Sequence, residues 1–252
     1  MTRNRFAPAR ESLAWAEMAL DEFRALCVAN VEGLEWHLFT EFDEERCQTV
    51  QLARLNKSFD RNVARKGTDA LERIKRSCDQ IAHAAVELTH PTSEAKVFFP
   101  WGKSRASSER SLRRLKLDDA IALEFSNFEP YPPSPDYDGG DPLIPILSEI
   151  ANRGHTIGIG FHASLCHAEI GPAETRGGRM RIPDLKWDSE KEQVELCRWS
   201  GDVDPPSDYV LEVAFTITDK LLRRPVEAEP ALRTFKAKAD RLLDNVEAGF
   251  AA

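Results

Sequence analysis

No stretch of this 252-residue chain approaches the roughly 18 uncharged apolar residues that a membrane-spanning helix needs. The basic segment Met1 to Arg10 is followed by no apolar run, so a secretory leader is not expected. The five cysteines (Cys27, Cys47, Cys78, Cys166 and Cys197) are odd in number and form no Cys-x-x-Cys pair. They fall mostly on apolar positions, which predicts free, buried thiols in a reducing cytoplasm. There is no Gly-x-Ser-x-Gly elbow, Walker loop or His-Glu-x-x-His helix, so three common enzyme signatures are missing. Internal repeats and low-complexity tracts are also lacking. Gly154, Gly158 and Gly160 lie close together, but no helix is predicted after them, which excludes a dinucleotide loop. Asp202, Asp204 and Asp208 surround Pro205-Pro206 and read as turn chemistry, not as a calcium loop.

What is present is ordinary for a globular protein that can bury a sizeable core: 42% apolar and 30% charged residues. The net charge of −8 argues against a dedicated nucleic-acid coat. That charge is uneven. Arg54 to Arg76 and Lys103 to Lys116 each carry an excess of +5, so the rest of the chain carries −18. Side by side, the two segments would make a basic surface on an acidic body, with Lys57, Arg61, Arg65, Lys66, Arg113 and Arg114 as its candidate nucleic-acid contacts. Apart, they are solvated faces.

Hydrophobic periodicity places the elements. A helix is predicted from Glu11 to Gly33, with Ser12 as its cap and Leu13, Ala16, Leu20, Phe23 and Cys27 on one face. Strands at Glu35–Phe42 and Arg46–Leu55 make a hairpin, followed by a polar connector from Asn56 to Gly67. The next helix, Thr68 to His90, buries Leu71, Ile74, Cys78, Ile81, Ala85 and Leu88, and His90-Pro91 ends it. Val97 to Trp101 reads as an apolar docking segment. Ser107 or Ser108 caps a basic helix through Leu115, Asp118 caps another through Phe128, and Asp141-Pro142 opens a third through Asn152. From His155 the period becomes two, giving strands at Thr156–Leu165, Arg179–Pro183, Gln193–Trp199 and Tyr209–Thr218 before a helix over Glu229–Gly249. The fold class is therefore α+β, a single domain over residues 1–252. Residues 1–153 are mainly helical and contain the hairpin at 35–55, and residues 154–252 form an antiparallel β-meander closed by a helix.

This order of features resembles a family of uncharacterised bacterial proteins. In that family a hairpin precedes a Leu-Arg-Ser-Ala-Leu-Asp-His helix, then a Phe-Pro segment, a Gln-Pro-Tyr turn and an Asn-x-Asp-Lys-His-Arg element. The counterparts are Lys75-Arg76-Ser77-Cys78-Asp79-Gln80, Phe99-Pro100, Glu129-Pro130-Tyr131, and Leu147 to Asn152 followed by Arg153-Gly154-His155-Thr156. Aligned on Asp79, the family's Arg and His fall on Lys75 and Gln80. Arg76 and His83, seven positions apart, are in addition similar to the Arg-x(4–6)-His motif of HEPN domains, many of which are metal-independent ribonucleases of bacterial stress and phage defence.

That resemblance implies a catalytic set of Arg76, His83 and Asp79, with no cofactor. RNA cleavage of this kind needs a group to move the 2′-hydroxyl proton and a cation for charge developing on phosphorus. A histidine can do the first, and a guanidinium can grip phosphate in bidentate fashion. Asp79 would orient one of them. Because this stripe faces away from the helix's apolar side, a complete site implies a homodimer with paired helices. The alternative is a noncatalytic scaffolding module, in which the stripe meets a protein partner or water and Arg76 pairs with Asp79 across one turn. His155, His162, Cys166 and His167 read as structural, because a regular strand converges only two of them, so no metal is expected. Trp36, Phe39, Phe42, Phe98, Phe99, Trp101, Phe125, Phe128 and Tyr131 read as core and docking contacts, not as a base-stacking platform.

Overall fold

A computed structural model describes residues 4–32, 34–55, 61–92, 96–157, 160–188 and 191–251. The protein is α+β, with an early hairpin, antiparallel sheets and a closing helix. Helix α1 (Ala7–Val31) precedes the hairpin strands β1 (Trp36–Asp43) and β2 (Gln48–Leu55). Four helices follow: α2 (Arg61–Thr89), α3 (Arg105–Leu115), α4 (Asp119–Asn127) and α5 (Ile144–Ile157). Next come β3 (Gly160–Ile170), β4 (Glu174–Thr175), β5 (Arg179–Arg181), β6 (Trp187–Asp188), β7 (Gln193–Ser200), β8 (Val203–Asp204), β9 (Tyr209–Thr218) and β10 (Val226–Glu227). Helix α6 (Ala228–Ala251) is last. None of the helices among the described residues is long and apolar enough to cross a membrane.

Packing divides the chain into two compact units: Met1–Arg24, Ala64–Gly160 and Ile217–Ala252 in the first, Ala25–Val63 and Phe161–Thr216 in the second. Both draw on segments from either side of residues 153 and 154.

The second unit is built on the hairpin. Trp36 pairs with Leu55 and Asp43 with Gln48, and Cys47 takes a left-handed φ of 51° in the turn. On its other edge β2 pairs antiparallel with β7, giving the order β1-β2-β7-β5 with β6 also on β7. The remaining strands of this unit pair β9 with β3 and β4 with β8. An interior strand has both edges satisfied and its faces covered, so β2 is largely buried while β1, at the edge, is largely exposed. Ala53, Val194 and Leu196 form a dry cluster under Trp36, Trp187 and Tyr209. Within it the Tyr209 hydroxyl donates to Gln51 Oε1 at 2.8 Å.

The first unit is helical. Leu13, Ala16, Leu20 and Phe23 of α1, Leu71, Ile74, Cys78 and Ile81 of α2, and Leu232, Phe235, Ala239, Leu242 and Val246 of α6 are all buried. Arg233 of α6 reaches Glu17 at 3.1 Å and Asp21 at 3.0 Å, tying α6 to α1. Phe99 packs on Trp101, Phe125 and Phe128 without forming a strand, as a docking segment does.

Four local expectations change. Helix α2 starts at Arg61, inside the expected connector, because Val63, Gly67, Ala70 and Ile74 already form a buried stripe at helical spacing. Helix α1 starts at Ala7, so Ser12 lies inside it and donates to Gln80 Oε1 at 2.7 Å instead of capping. The cap of α3 is Ser104, in a reciprocal box with Ser107, while Ser108 turns inward and donates to Pro100 O at 2.8 Å. Helix α5 runs on to Ile157, and β3 begins only at Gly160. Its first residue is Ile144, so Pro142 precedes the helix instead of opening it, while Asp141 Oδ1 accepts from Leu143 N–H at 2.9 Å and Ile144 N–H at 2.8 Å and Pro145 sits in the first turn.

Candidate functional site

The polar stripe of α2 is a direct consequence of its apolar one. With Ile74, Cys78, Ile81 and Ala85 turned inward, Arg76, Asp79, Gln80 and His83 must point away. Arg76 and His83 are both exposed, His83 by 63% of its side chain.

Asp79 is committed elsewhere. Its Oδ2 accepts from Lys75 Nζ at 2.6 Å, and its Oδ1 accepts from Phe99 N–H at 3.2 Å. It therefore anchors the docking segment to α2, and the i,i+3 pair with Arg76 is replaced by an i,i+4 pair with Lys75. Gln80 is likewise used, holding Ser12 of α1. Burial, reinforced by the neighbouring Asp79 carboxylate, pushes the Cys78 thiol far above its ordinary range, so Cys78 is no nucleophile.

Arg76 and His83 open onto different cavities of the first unit. Arg76 lines one of about 430 Å³ with Asp69, Glu72, Arg73, Lys75, Asp79 and Asn152. His83 lines one of about 490 Å³ with Arg5, Glu11, Gln80 and Glu87. Its Nδ1 is 3.9 Å from Glu87, whose other oxygen is held by Arg5. A single chain thus does not bring Arg76 to His83, and Asp79, though it shares the Arg76 cavity, bonds to neither.

The other cations near Arg76 are paired, and Asp69, Glu72 and Asp79 bring carboxylates to the same cavity. Arg73 Nε donates to Asp69 at 2.7 Å, Lys75 is held by Asp79, and Lys66 pairs with Glu22. Arg76 alone among these cations has no hydrogen-bonding or ionic partner among the described residues.

Of the candidate nucleic-acid contacts, Arg65, Arg113 and Arg114 are exposed and Lys66 is the half-buried partner of Glu22. Lys57 and the side chain of Arg61 lie outside the described residues. The two basic segments are not side by side. Arg65 and Lys66 are in the second turn of α2. Lys116 caps α3 beside the far end, where His90 Nε2–H donates to its carbonyl at 2.8 Å. From Lys66 to His90 is about 36 Å at 1.5 Å per residue. Only Lys116, at the end of the second segment, is placed beside the far end of α2.

Among the described residues no three His, Cys, Asp or Glu side chains gather as metal ligands. Cys166 and His167 are exposed, and the side chains of His155 and His162 lie outside the described residues.

Two neighbours of the Arg76 cavity were not among the sequence candidates. Trp15 of α1 is 45% exposed and lies under the Arg73 guanidinium, 5.1 Å from ring centroid to Cζ. Asn152, at an exposed position of α5, completes the wall. A tryptophan off the apolar stripe of an amphipathic helix was the available signal for the first. Nothing local marks the second. Compared with known proteins, the chain matches no family model, no curated protein and no solved structure at a significant level.

Proposed function

We propose that this chain is a cytoplasmic RNA-binding effector of the HEPN-like kind, with Arg76 as its phosphate anchor, of the sort that serves bacterial stress or phage defence. One observation carries it: in a cavity of about 430 Å³ whose other cations are neutralised, Arg76 presents a spare guanidinium to solvent. Such a group has no ion pair to give up on binding, and matches a phosphodiester in charge and geometry.

Cleavage is the stronger form of the proposal and requires a homodimer. The exposed His83 of one chain would meet the phosphate held by Arg76 of the other, taking the 2′-hydroxyl proton as the 2′-oxygen attacks phosphorus and the 5′-oxygen leaves. The remaining reading is a noncatalytic protein-binding or scaffolding module, which the 66% exposure of Phe98 beside this helix favours.

The test uses purified full-length protein and a fluorescein-labelled single-stranded RNA. Binding is expected with a log–log salt slope that falls by about 0.7 in Arg76→Ala, the value for one phosphate contact on a single strand. Stability should stay within about 0.5 kcal/mol, since an exposed unpaired side chain is lost. Cleavage of total RNA by wild type but not by His83→Ala, together with a dimer in sedimentation, supports the enzymatic form. Absence of any RNA binding at low salt refutes the proposal and leaves the scaffold.

A further inference from the structure

The cavity at Arg76 adjoins a second one of about 250 Å³, because Asp69 and Arg73 line both. The floor of the second is apolar: Trp15, Met18 and Ala19 line it, with Trp15 45% and Met18 61% exposed. Arg73 stands between the two. Its Nε is fixed by Asp69 at 2.7 Å, and its Cζ lies 5.1 Å over the Trp15 ring. The guanidinium is thus held over the indole by one hydrogen bond and one cation–π contact, and the same side chain lines the larger cavity.

We infer that this composite groove is a subsite for one unpaired nucleotide. The base stacks on the outer face of the Arg73–Trp15 pair, its phosphate lies on Arg76, and the Asn152 amide meets the base edge. The inference takes the RNA reading of α2 as its starting point and adds a base-recognition element to it. Arginine planes and aromatic rings are the two platforms on which splayed-out RNA bases stack. Arg73 and Arg76 are one turn apart on α2, so their Cβ atoms are about 5–6 Å from each other, a spacing that suits a base and its own phosphate. The volume of about 430 Å³ is in the range for a small-molecule-sized ligand. Asn152 has no hydrogen-bond partner among the described residues, so both its amide donors and its carbonyl are free to read an edge. The same chemistry would accept a free nucleoside monophosphate, so the two sources must be separated by experiment.

Three probes do this: an eight-nucleotide oligoadenylate, the same oligomer with every base removed, and adenosine monophosphate. Binding is followed by anisotropy and by quenching of tryptophan fluorescence. The expected result is oligoadenylate binding about tenfold tighter than the abasic strand. Arg73→Ala should erase that preference, and Arg76→Ala should weaken both strands. The quench should disappear in Trp15→Phe, a mild change that keeps a ring at a half-exposed position. Equal binding of the two strands by the wild type overturns the stacking subsite and leaves the RNA reading intact. Quenching by adenosine monophosphate with no strand binding overturns the RNA reading and establishes a free-nucleotide pocket. If no probe binds, both are refuted.

Discussion

Asp141 offers the sharpest test of how the helical unit is held. One carboxylate oxygen caps α5 through the N–H groups of Leu143 and Ile144, and the other accepts from Lys238 Nζ of α6 at 2.7 Å. Replacing Asp141 by Ala removes the cap, worth about 1 kcal/mol. It also removes a half-buried charge pair, worth about another 1 kcal/mol, kept small because Lys238 can still reach water. The sum is about 2 kcal/mol, or about 4–8 °C in Tm for a chain of this size. Asp141→Asn keeps a capping oxygen and loses only the charge, so it should cost about half as much. The pH dependence has a definite sign. Burial disfavours the Asp141 charge, but the Ile144 N–H, Lys238 and the Leu143 N–H outweigh it, holding the carboxyl below its ordinary value. A lowered folded-state pKa means the contribution is complete above the ordinary carboxylate range and is lost as pH falls through the folded value. Urea denaturation followed by circular dichroism should therefore show a full gap between wild type and Asp141→Ala at neutral pH that closes on acidification. If Asn costs as much as Ala, or the gap does not narrow in acid, the cap-plus-bridge account is wrong.

Two further outcomes follow from burial. Ile74, fully buried on α2, should cost about 3 kcal/mol when truncated to Ala, measured by the same denaturation; a loss below about 1 kcal/mol would show that α2 does not pack as described. With a thiol-reactive chromophore, Cys47 and Cys166 should react quickly in the native protein and Cys27 more slowly. Cys78 and Cys197, whose thiols burial pushes upward, should react only on unfolding; fast labelling of Cys78 would contradict its place in the core.

Periodicity made much of the fold legible because each element carries its own burial pattern. The strand over Tyr209–Thr218 and the closing helix are where alternation and the three-to-four spacing put them. What it could not supply were choices made in three dimensions. The first two turns of α2 were hidden by their charges and by Gly67, since the stripe through Val63 becomes visible only when something covers it. The continuation of α5 past Asn152 is decided by tertiary context, because Arg153-Gly154-His155 has no strong preference of its own. The pairing of β2 with β7, far apart in sequence, leaves no local trace. The site behaves the same way. That Arg76 and His83 would be exposed followed from the stripe. That Asp79 would choose Lys75 over Arg76 did not, because both lie within reach and Phe99 decides which way the carboxylate turns. The Trp15–Arg73 stack joins two helices and exists only once they meet.

Helix α6 follows the other helices of its unit by more than 60 residues, yet it supplies eight buried residues to their core. Until α6 is in place, the inward faces of α1 and α2 are only partly covered, and Glu17 and Asp21 lack Arg233. Closure of this unit waits for α6 to fold back, so a product truncated before Ala228 would be sticky and protease-sensitive and not a smaller working protein.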